Sequence, residues 1–232
     1  MAAPLPPPPD RPELPPEVTL AGEEPLRLRA ADGVELEARG RFPASPERAV
    51  LLLHPHPLYG GTMHNAIVVI VGKALAERGG DRVATLRLNY RGVGTSTGSY
   101  GAGEGETLDA RAGLAELRRR YPHARLSIVA YSFGTWVGLR AAALDGGVER
   151  VTLVAPAVRL FEFGAADEPR FAGPIAIVCG EADAFCSVAE AERLAAQLGA
   201  RLDVVAQADH FFVRHRRRVA DLVVPTAAPE LA

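Results

Sequence analysis

A strand, a serine in a sharp turn and a helix follow one another in the middle of this chain. Residues 126–130 are mostly apolar, which favours a buried strand, and residues 135–144 favour a helix. Ser132 stands between them, with the small residues Ala130 and Gly134 two positions away on either side. Because a tight strand-to-helix turn brings those two positions together, neither can carry a large side chain. The pattern predicts a nucleophile elbow at Ser132; the plainer alternative is a serine that only caps the helix.

The remainder of the chain predicts an α/β architecture built around that strand. Two stretches of alternating polarity, 26–29 and 34–37, flank Asp32-Gly33 and predict an antiparallel hairpin. Beyond the hairpin, strands alternate with helices, which is typical of a parallel sheet with helices on both faces. The further strands are expected at 49–53, 83–88, 150–155, 175–179 and 201–206, and the further helices at 63–78, 104–120, 188–198 and 211–223.

The chain has 232 residues, 48% of them hydrophobic, which suffices for one domain with a sizeable core. We assign residues 25–224 to that domain, residues 1–24 to a proline-rich flexible tail, and residues 225–232 to a short C-terminal tail. Only two cysteines occur, which favours a reducing compartment, and the N-terminus lacks the pattern of a signal peptide. We therefore expect a cytoplasmic protein. The formal net charge of −2 gives no reason to expect nucleic acid or a membrane as a partner.

Residues that could act together with Ser132 follow two later strands. Ligands of a parallel sheet bind outside the carboxyl ends of its strands. Asp183 follows the penultimate predicted strand, and His210 follows the last one. An imidazole can accept the serine proton, and an aspartate can hold that imidazole in the required tautomer. The sequence therefore predicts Ser132, Asp183 and His210 as a catalytic triad. Glu181 is the alternative acid, whereas Asp209 is expected to point away from its neighbour His210.

An oxyanion hole requires two backbone N–H groups. The residue after the nucleophile, Phe133, supplies one, and the loop after the third strand supplies the other. That loop, residues 54–61, contains two prolines that have no N–H. The remaining donors near the end of the strand are His56, Leu58 and Tyr59. We predict His56 and keep Leu58 as the alternative.

Three other patterns suggest binding sites, but each has a plainer interpretation. His54, His56 and His64 lie close together in sequence, yet no acidic residue or cysteine stands beside them at ligand spacing, so we predict no metal site. The glycine-rich stretch 89–96 opens no helix where a dinucleotide loop requires one, and we predict no cofactor. The basic run 214–218 is interpreted as a solvated helix face.

Four segments together resemble a known family, the small cap-less α/β-hydrolases of the dienelactone-hydrolase-like and serine-esterase branch. The segments span 54–63, 89–96, 130–134 and 208–212. The resemblance covers roughly residues 25 to 224. It implies an α/β-hydrolase fold with an eight-stranded, mostly parallel sheet and no cap domain, and it implies the same triad. Two positions depart from the family pattern: Ala130 replaces the first glycine of the elbow, and Ser132 replaces the cysteine of true dienelactone hydrolases.

These observations favour a serine hydrolase that cleaves carboxylic esters through an acyl-enzyme. A thioesterase or a serine peptidase on the same scaffold is the nearest alternative, and a non-catalytic interaction protein is the alternative from another class. The connection 156–174 has 19 residues (174 − 156 + 1), too few for a lid of several helices. We therefore expect an open cleft, short acyl chains and an aromatic rim that contacts the substrate. The predicted rim consists of Tyr59, Tyr90, Tyr131, Phe133 and Phe211.

Overall fold

Eight strands form one sheet in the computed structural model, which describes residue 7 and residues 14–164 and 170–231. The strand order is β1-β2-β4-β3-β5-β6-β7-β8. The first three strands of that order pair antiparallel, and the other pairs are parallel. The predicted hairpin and the mostly parallel sheet are thereby confirmed. The strands are β1 (Glu23–Arg29), β2 (Glu35–Arg41), β3 (Arg48–Leu53), β4 (Val83–Leu88), β5 (Arg125–Tyr131), β6 (Val148–Val154), β7 (Ile175–Gly180) and β8 (Arg201–Val205).

Helices cover both faces of this sheet. Side chains of α1 and α5 pack with one face, and side chains of α2, α3 and α4 pack with the other. The central strands β3 and β4 are buried along their whole length, because both faces are covered. The helices are α1 (Ala66–Gly79), α2 (Glu104–Arg120), α3 (Phe133–Asp145), α4 (Val188–Leu198) and α5 (Arg216–Ala227). In the described residues, no helix combines the length and the apolar character needed to cross a membrane.

Two helices begin later than the sequence predicted. Helix α1 begins at Ala66 rather than residue 63, because Asn65 Oδ1 accepts a hydrogen bond from the Ile67 N–H and caps the helix. Helix α5 begins at Arg216 rather than residue 211. Phe212 has a φ of +49°, a left-handed conformation that an α-helix excludes. The segment after β8 is therefore a turn, and His210 lies in it.

The assignment of the residues from 225 to a C-terminal tail is corrected by the structure, in which residues 225–231 pack on the domain. Helix α5 continues through Pro225 to Ala227, and the carbonyl of Ala227 accepts a hydrogen bond of 2.9 Å from Ser127 Oγ. Beyond the helix, Glu230 pairs with Arg48 at 2.7 Å. The guanidinium of Arg48 is fully buried, and a buried charge requires a partner. Glu230 is therefore one of two carboxylates that pair with this buried charge, the other being Glu149 at 3.2 Å.

The predicted N-terminal tail reaches the domain at its last residues. Strand β1 begins at Glu23, which pairs with the buried Arg87 at 2.6 Å. Arg87 also donates to the carbonyl of Val18, whose N–H donates to Nδ1 of His64 at 2.9 Å. Residues 18–24 are therefore attached to the domain rather than free of it. Most of the proline-rich stretch, residues 1–6 and 8–13, lies outside the described residues.

Candidate active site

Ser132 lies in a strained turn between β5 and α3, at the carboxyl edge of the sheet. Its φ is +54° and its ψ is −120°, values that cost a non-glycine residue about 1–3 kcal/mol. Close packing around this turn restricts the residue types that can stand near Ser132. A Cβ at Gly134 would lie 2.7 Å from the carbonyl oxygen of His54, so only glycine fits there. A Cβ at Gly138 would lie 3.1 Å from the Cβ of Ala130. Because α3 has glycine at that point, the strand tolerates the extra methyl group of Ala130.

Ser132, His210 and Asp183 form a continuous chain of hydrogen bonds. Ser132 Oγ lies 2.9 Å from His210 Nε2, and His210 Nδ1 lies 2.8 Å from Asp183 Oδ2. All three side chains are buried, although they come from three separate strand ends. The structure thus brings together the three residues that the sequence selected. A serine, an imidazole and a carboxylate in this order can pass the serine proton to the imidazole and stabilise the resulting imidazolium.

The structure distinguishes Asp183 from the other acids considered. Its second oxygen, Oδ1, accepts a hydrogen bond of 2.8 Å from the N–H of Phe185, so both carboxylate oxygens are paired. Glu181 instead accepts from the N–H of Gln207. Asp209, which the sequence analysis set aside, accepts from the N–H of Phe211. Among the acidic residues that the structure describes, Asp183 alone pairs with the imidazole of His210.

His210 is held from its backbone as well as from its ring. The hydroxyl of Tyr131 donates to the carbonyl of His210 at 3.0 Å, and the two rings stack with centroids 5.7 Å apart. Burial raises the pKa of Tyr131, so this hydroxyl stays protonated and remains a donor. Phe212, in the same turn, is fully buried and packs in the core cluster that also contains Tyr131. Tyr131 therefore supports His210 in addition to bordering the cleft.

Two backbone N–H groups are available next to Ser132. Phe133 is the first residue of α3, where an N–H has no intrahelical acceptor. In the loop after β3, the N–H of Leu58 donates to the His56 ring, and the N–H of Tyr59 donates to the His56 carbonyl. No described residue accepts from the N–H of His56. Of the donors that the sequence left open, His56 is therefore the better candidate for the second oxyanion contact.

The three histidines near that loop serve separate structural purposes. His54 is fully buried: its Nδ1 lies 2.7 Å from the carbonyl of Pro55, and its Nε2 accepts from the N–H of Tyr90. His64 bonds to Val18 instead. Burial lowers the pKa of His54 to about 3 and that of His56 to about 4, so both rings are neutral at physiological pH. Among the described residues, no group of three or more potential ligands is placed to hold a metal ion.

A cleft of about 320 Å³ opens over Ser132; six Phe and Tyr residues line it, and none of its described lining residues is Asp, Glu, Lys or Arg. Of the predicted rim, Tyr59, Tyr131, Phe133 and Phe211 border it. Tyr90 does not: it is fully buried, 4.3 Å from the His54 ring between centroids, so its assignment to substrate contact was wrong. The Tyr90 ring instead packs against the rings of His54 and Phe133.

Three apolar residues of the cleft were not predicted. Leu160 and Phe161 come from the β6–β7 connection, and Phe185 comes from the loop that carries Asp183. Phe161 stacks on Trp136 with centroids 5.2 Å apart, which directs it toward the site. The only sequence signal was the presence of large apolar residues in connections at the carboxyl edge. That signal does not reveal which of them face the cleft.

Comparisons with known proteins agree with this geometry. A family model described as serine hydrolase matches residues 111–216. The chain is 30% identical to an α/β serine hydrolase homologue from Coxiella burnetii, with 92% of this chain and all of that chain covered and a TM-score of 0.79. It is 27% identical to XC6422 from Xanthomonas campestris, described as an α/β serine hydrolase without lid, over 93% of this chain and 97% of that chain, again with a TM-score of 0.79.

A curated relative, the uncharacterized protein RP471 from Rickettsia prowazekii, is 35% identical over 131 residues. The match covers 55% of this chain and 54% of that protein, so the chain spans about half the length of this relative. The whole-length similarity to the Coxiella protein carries the assignment, and the elbow serine and the lidless architecture agree with it. The chain belongs to the small α/β serine hydrolases without a cap domain.

Proposed function

We propose that this hydrolase cleaves carboxylic esters with short acyl chains through an acyl-enzyme on Ser132. The observation that carries the proposal is the hydrogen-bonded chain Ser132–His210–Asp183, which opens on a cleft whose described lining residues carry no charge. A neutral ester fits such a cleft, because burying a charged substrate there without a partner would be costly.

In the proposed mechanism, His210 Nε2 takes the proton of Ser132 as Oγ attacks the ester carbonyl. Asp183 holds the proton on Nδ1 and stabilises the imidazolium. The N–H groups of Phe133 and His56 donate to the oxyanion that develops. The bond to the alcohol oxygen then breaks, and His210 returns the proton to the departing alcohol. Water, activated by the same imidazole, releases the acid and regenerates Ser132.

The preference for short acyl chains follows from the size and openness of the cleft. A volume of about 320 Å³ lies at the lower end of the range for small-molecule sites. Each methylene that is buried gains roughly 0.8 kcal/mol, but methylenes beyond the aromatic walls stay in water and gain nothing. We expect kcat/KM on p-nitrophenyl esters to be highest between acetate and butyrate, without activation by micelles. A higher value for palmitate than for butyrate would refute the open-cleft interpretation.

A separate experiment tests whether the leaving group of the substrate departs through oxygen, sulfur or nitrogen. Matched oxygen esters, thioesters and amides with the same acyl group should be hydrolysed in that order of preference if the protein is an esterase. A fluorophosphonate probe that labels the parent protein would exclude a purely non-catalytic role. Faster hydrolysis of the thioester or of the amide, after correction for their intrinsic reactivities, would replace the proposal by a thioesterase or a peptidase.

The pH dependence of kcat/KM follows from the need for a neutral base. We expect kcat/KM, measured from pH 5 to 8, to rise with pH, because a protonated imidazole cannot accept the serine proton. His54 and His56 do not contribute to this rise, since burial keeps the pKa of each at about 3 and about 4. A flat profile over this range, measured where the protein stays folded, would argue against His210 as the base.

A further inference from the structure

We propose that the alcohol portion of the ester is aromatic and uncharged, and that its ring binds between Phe185 and Phe211. The inference rests on the proposed function, since it concerns the leaving group of that reaction. It assigns the substrate class on the alcohol side, which the triad alone leaves open.

The position of the alcohol follows from the chemistry of its departure. When the bond between the carbonyl carbon and the alcohol oxygen breaks, that oxygen must receive the proton from His210 Nε2. It therefore lies within hydrogen-bond reach of Nε2, on the side of the cleft that His210 borders. Whatever group the oxygen carries must lie against the residues around the imidazole.

Those residues are aromatic. The Phe185 ring lies 4.7 Å from the His210 ring between centroids, at an interplanar angle of 66°. The Phe211 ring lies 5.4 Å away, at 90°. Both phenylalanines border the same cleft as Ser132 and His210. In the proposed arrangement the ring of the alcohol contacts both of them, at the tilted angles that aromatic pairs prefer.

The backbone holds both phenylalanines in place before a ligand binds. The N–H of Phe185 donates to Asp183, and the N–H of Phe211 donates to Asp209 at 3.1 Å. Phe211 is nevertheless 59% exposed, an unusual state for a phenylalanine beside a catalytic base. A bound aromatic ring would cover this surface and remove apolar area from water.

The cleft also selects against charge. None of its described lining residues is Asp, Glu, Lys or Arg. A carboxylate or an ammonium group on the alcohol would lose hydration there without gaining an ionic partner. The geometry therefore favours simple arylmethyl or aryl alcohols over amino alcohols or sugar acids.

A matched pair of esters tests the inference. Benzyl butyrate and cyclohexylmethyl butyrate share the acyl group and the primary alcohol, and differ only in the aromatic character of a six-membered ring. Ring–ring contacts are expected to give the parent protein about a fivefold higher kcat/KM for the benzyl ester. A cleft that selects only for apolar area would favour the cyclohexylmethyl ester, because its ring is the more hydrophobic.

Two substitutions test whether the aromatic ring of the alcohol binds at Phe185 and Phe211. Phe185→Leu and Phe211→Leu keep apolar volume but remove aromatic character, and each should bring the benzyl to cyclohexylmethyl ratio close to one. Val213→Ala is the matched control: Val213 is 60% exposed in the same turn and does not border the cleft, so both the ratio and kcat/KM should stay at the parent values.

The outcomes separate the inference from the function on which it rests. If the parent hydrolyses neither ester nor any other short-chain ester, the proposed function fails. If it hydrolyses both esters with a ratio of one or below, the function stands and the inference is overturned. A parent ratio above one that persists in both phenylalanine variants would likewise overturn it, since the ring would then bind elsewhere. Hydrolysis of the cyclohexylmethyl ester by each variant verifies that the variant is folded.

Discussion

Ser132→Ala is expected to reduce kcat on a short-chain ester by about a million-fold, the loss seen when a triad serine is removed. The hydroxyl is the only group at this position that can attack the carbonyl, and its hydrogen bond to His210 shows that the base is within reach. Alanine is expected to adopt the strained turn about as well as serine, so the free energy of unfolding should change little. Residual hydrolysis would come from the oxyanion donors and from binding alone.

The exposed Ser99 provides the matched control for this substitution. Ser99→Ala should retain parental turnover and parental labelling by a fluorophosphonate probe, whereas Ser132→Ala should lose both. Ester turnover by Ser132→Ala within tenfold of the parent would contradict the assignment of the nucleophile, whatever the labelling result.

The second large effect is expected for a substitution of Asp183, the acidic residue bonded to His210. Asp183→Asn should lower kcat by about 10⁴, because an asparagine can donate to His210 Nδ1 and stabilise the tautomer that has no free acceptor for the serine proton. The substitution keeps the size of the side chain. Oδ1 can still accept from the N–H of Phe185, so the loop should remain in place.

Glu181→Gln is the control for the acid, since Glu181 lies in the same loop and bonds to the N–H of Gln207 rather than to the imidazole. A glutamine oxygen can still accept that bond, and we expect kcat within a few-fold of the parent. If Glu181→Gln lost far more activity than Asp183→Asn, the acid would have been assigned to the wrong residue.

Local patterns were sufficient to predict the elbow and most of the secondary structure. The apolar run before Ser132 and the small residues around it act through contacts a few positions apart, and such contacts leave a signature in a short window of sequence. The helices Glu104–Arg120 and Val188–Leu198 begin and end where the sequence predicted. Capping and helix-ending residues close to each end carry that information.

Positions at strand ends were predictable for a different reason. Once the parallel sheet was inferred, the carboxyl ends of β5, β7 and β8 had to meet at one edge. Asp183 and His210 could therefore be placed near Ser132 without knowledge of the distances. Asp183 was preferred to Glu181 because it stands farther beyond the end of its strand, where its side chain can reach the histidine. In the structure Asp183 is hydrogen-bonded to the imidazole.

The burial of side chains, by contrast, was decided by tertiary contacts. Tyr90 follows a strand at the active-site edge, as a cleft residue would, but its ring is fully buried against the rings of His54 and Phe133. Phe161 borders the cleft and stacks on Trp136, 25 positions earlier in the chain (161 − 136). Such contacts leave no pattern in the residues next to the side chain concerned.

The sequence by itself determined the order of the elements, the elbow at Ser132 and the choice of Asp183 and His210 as its partners. Each of these depends on local propensity or on which strand end a residue follows. Only the tertiary structure decided where the chain ends join the domain and which aromatic rings surround the base. Glu230 is held by Arg48, 182 positions away, and Val18 by Arg87, 69 positions away. Such pairings satisfy buried charges, and a buried charge selects its partner by distance in space, which a linear sequence does not record.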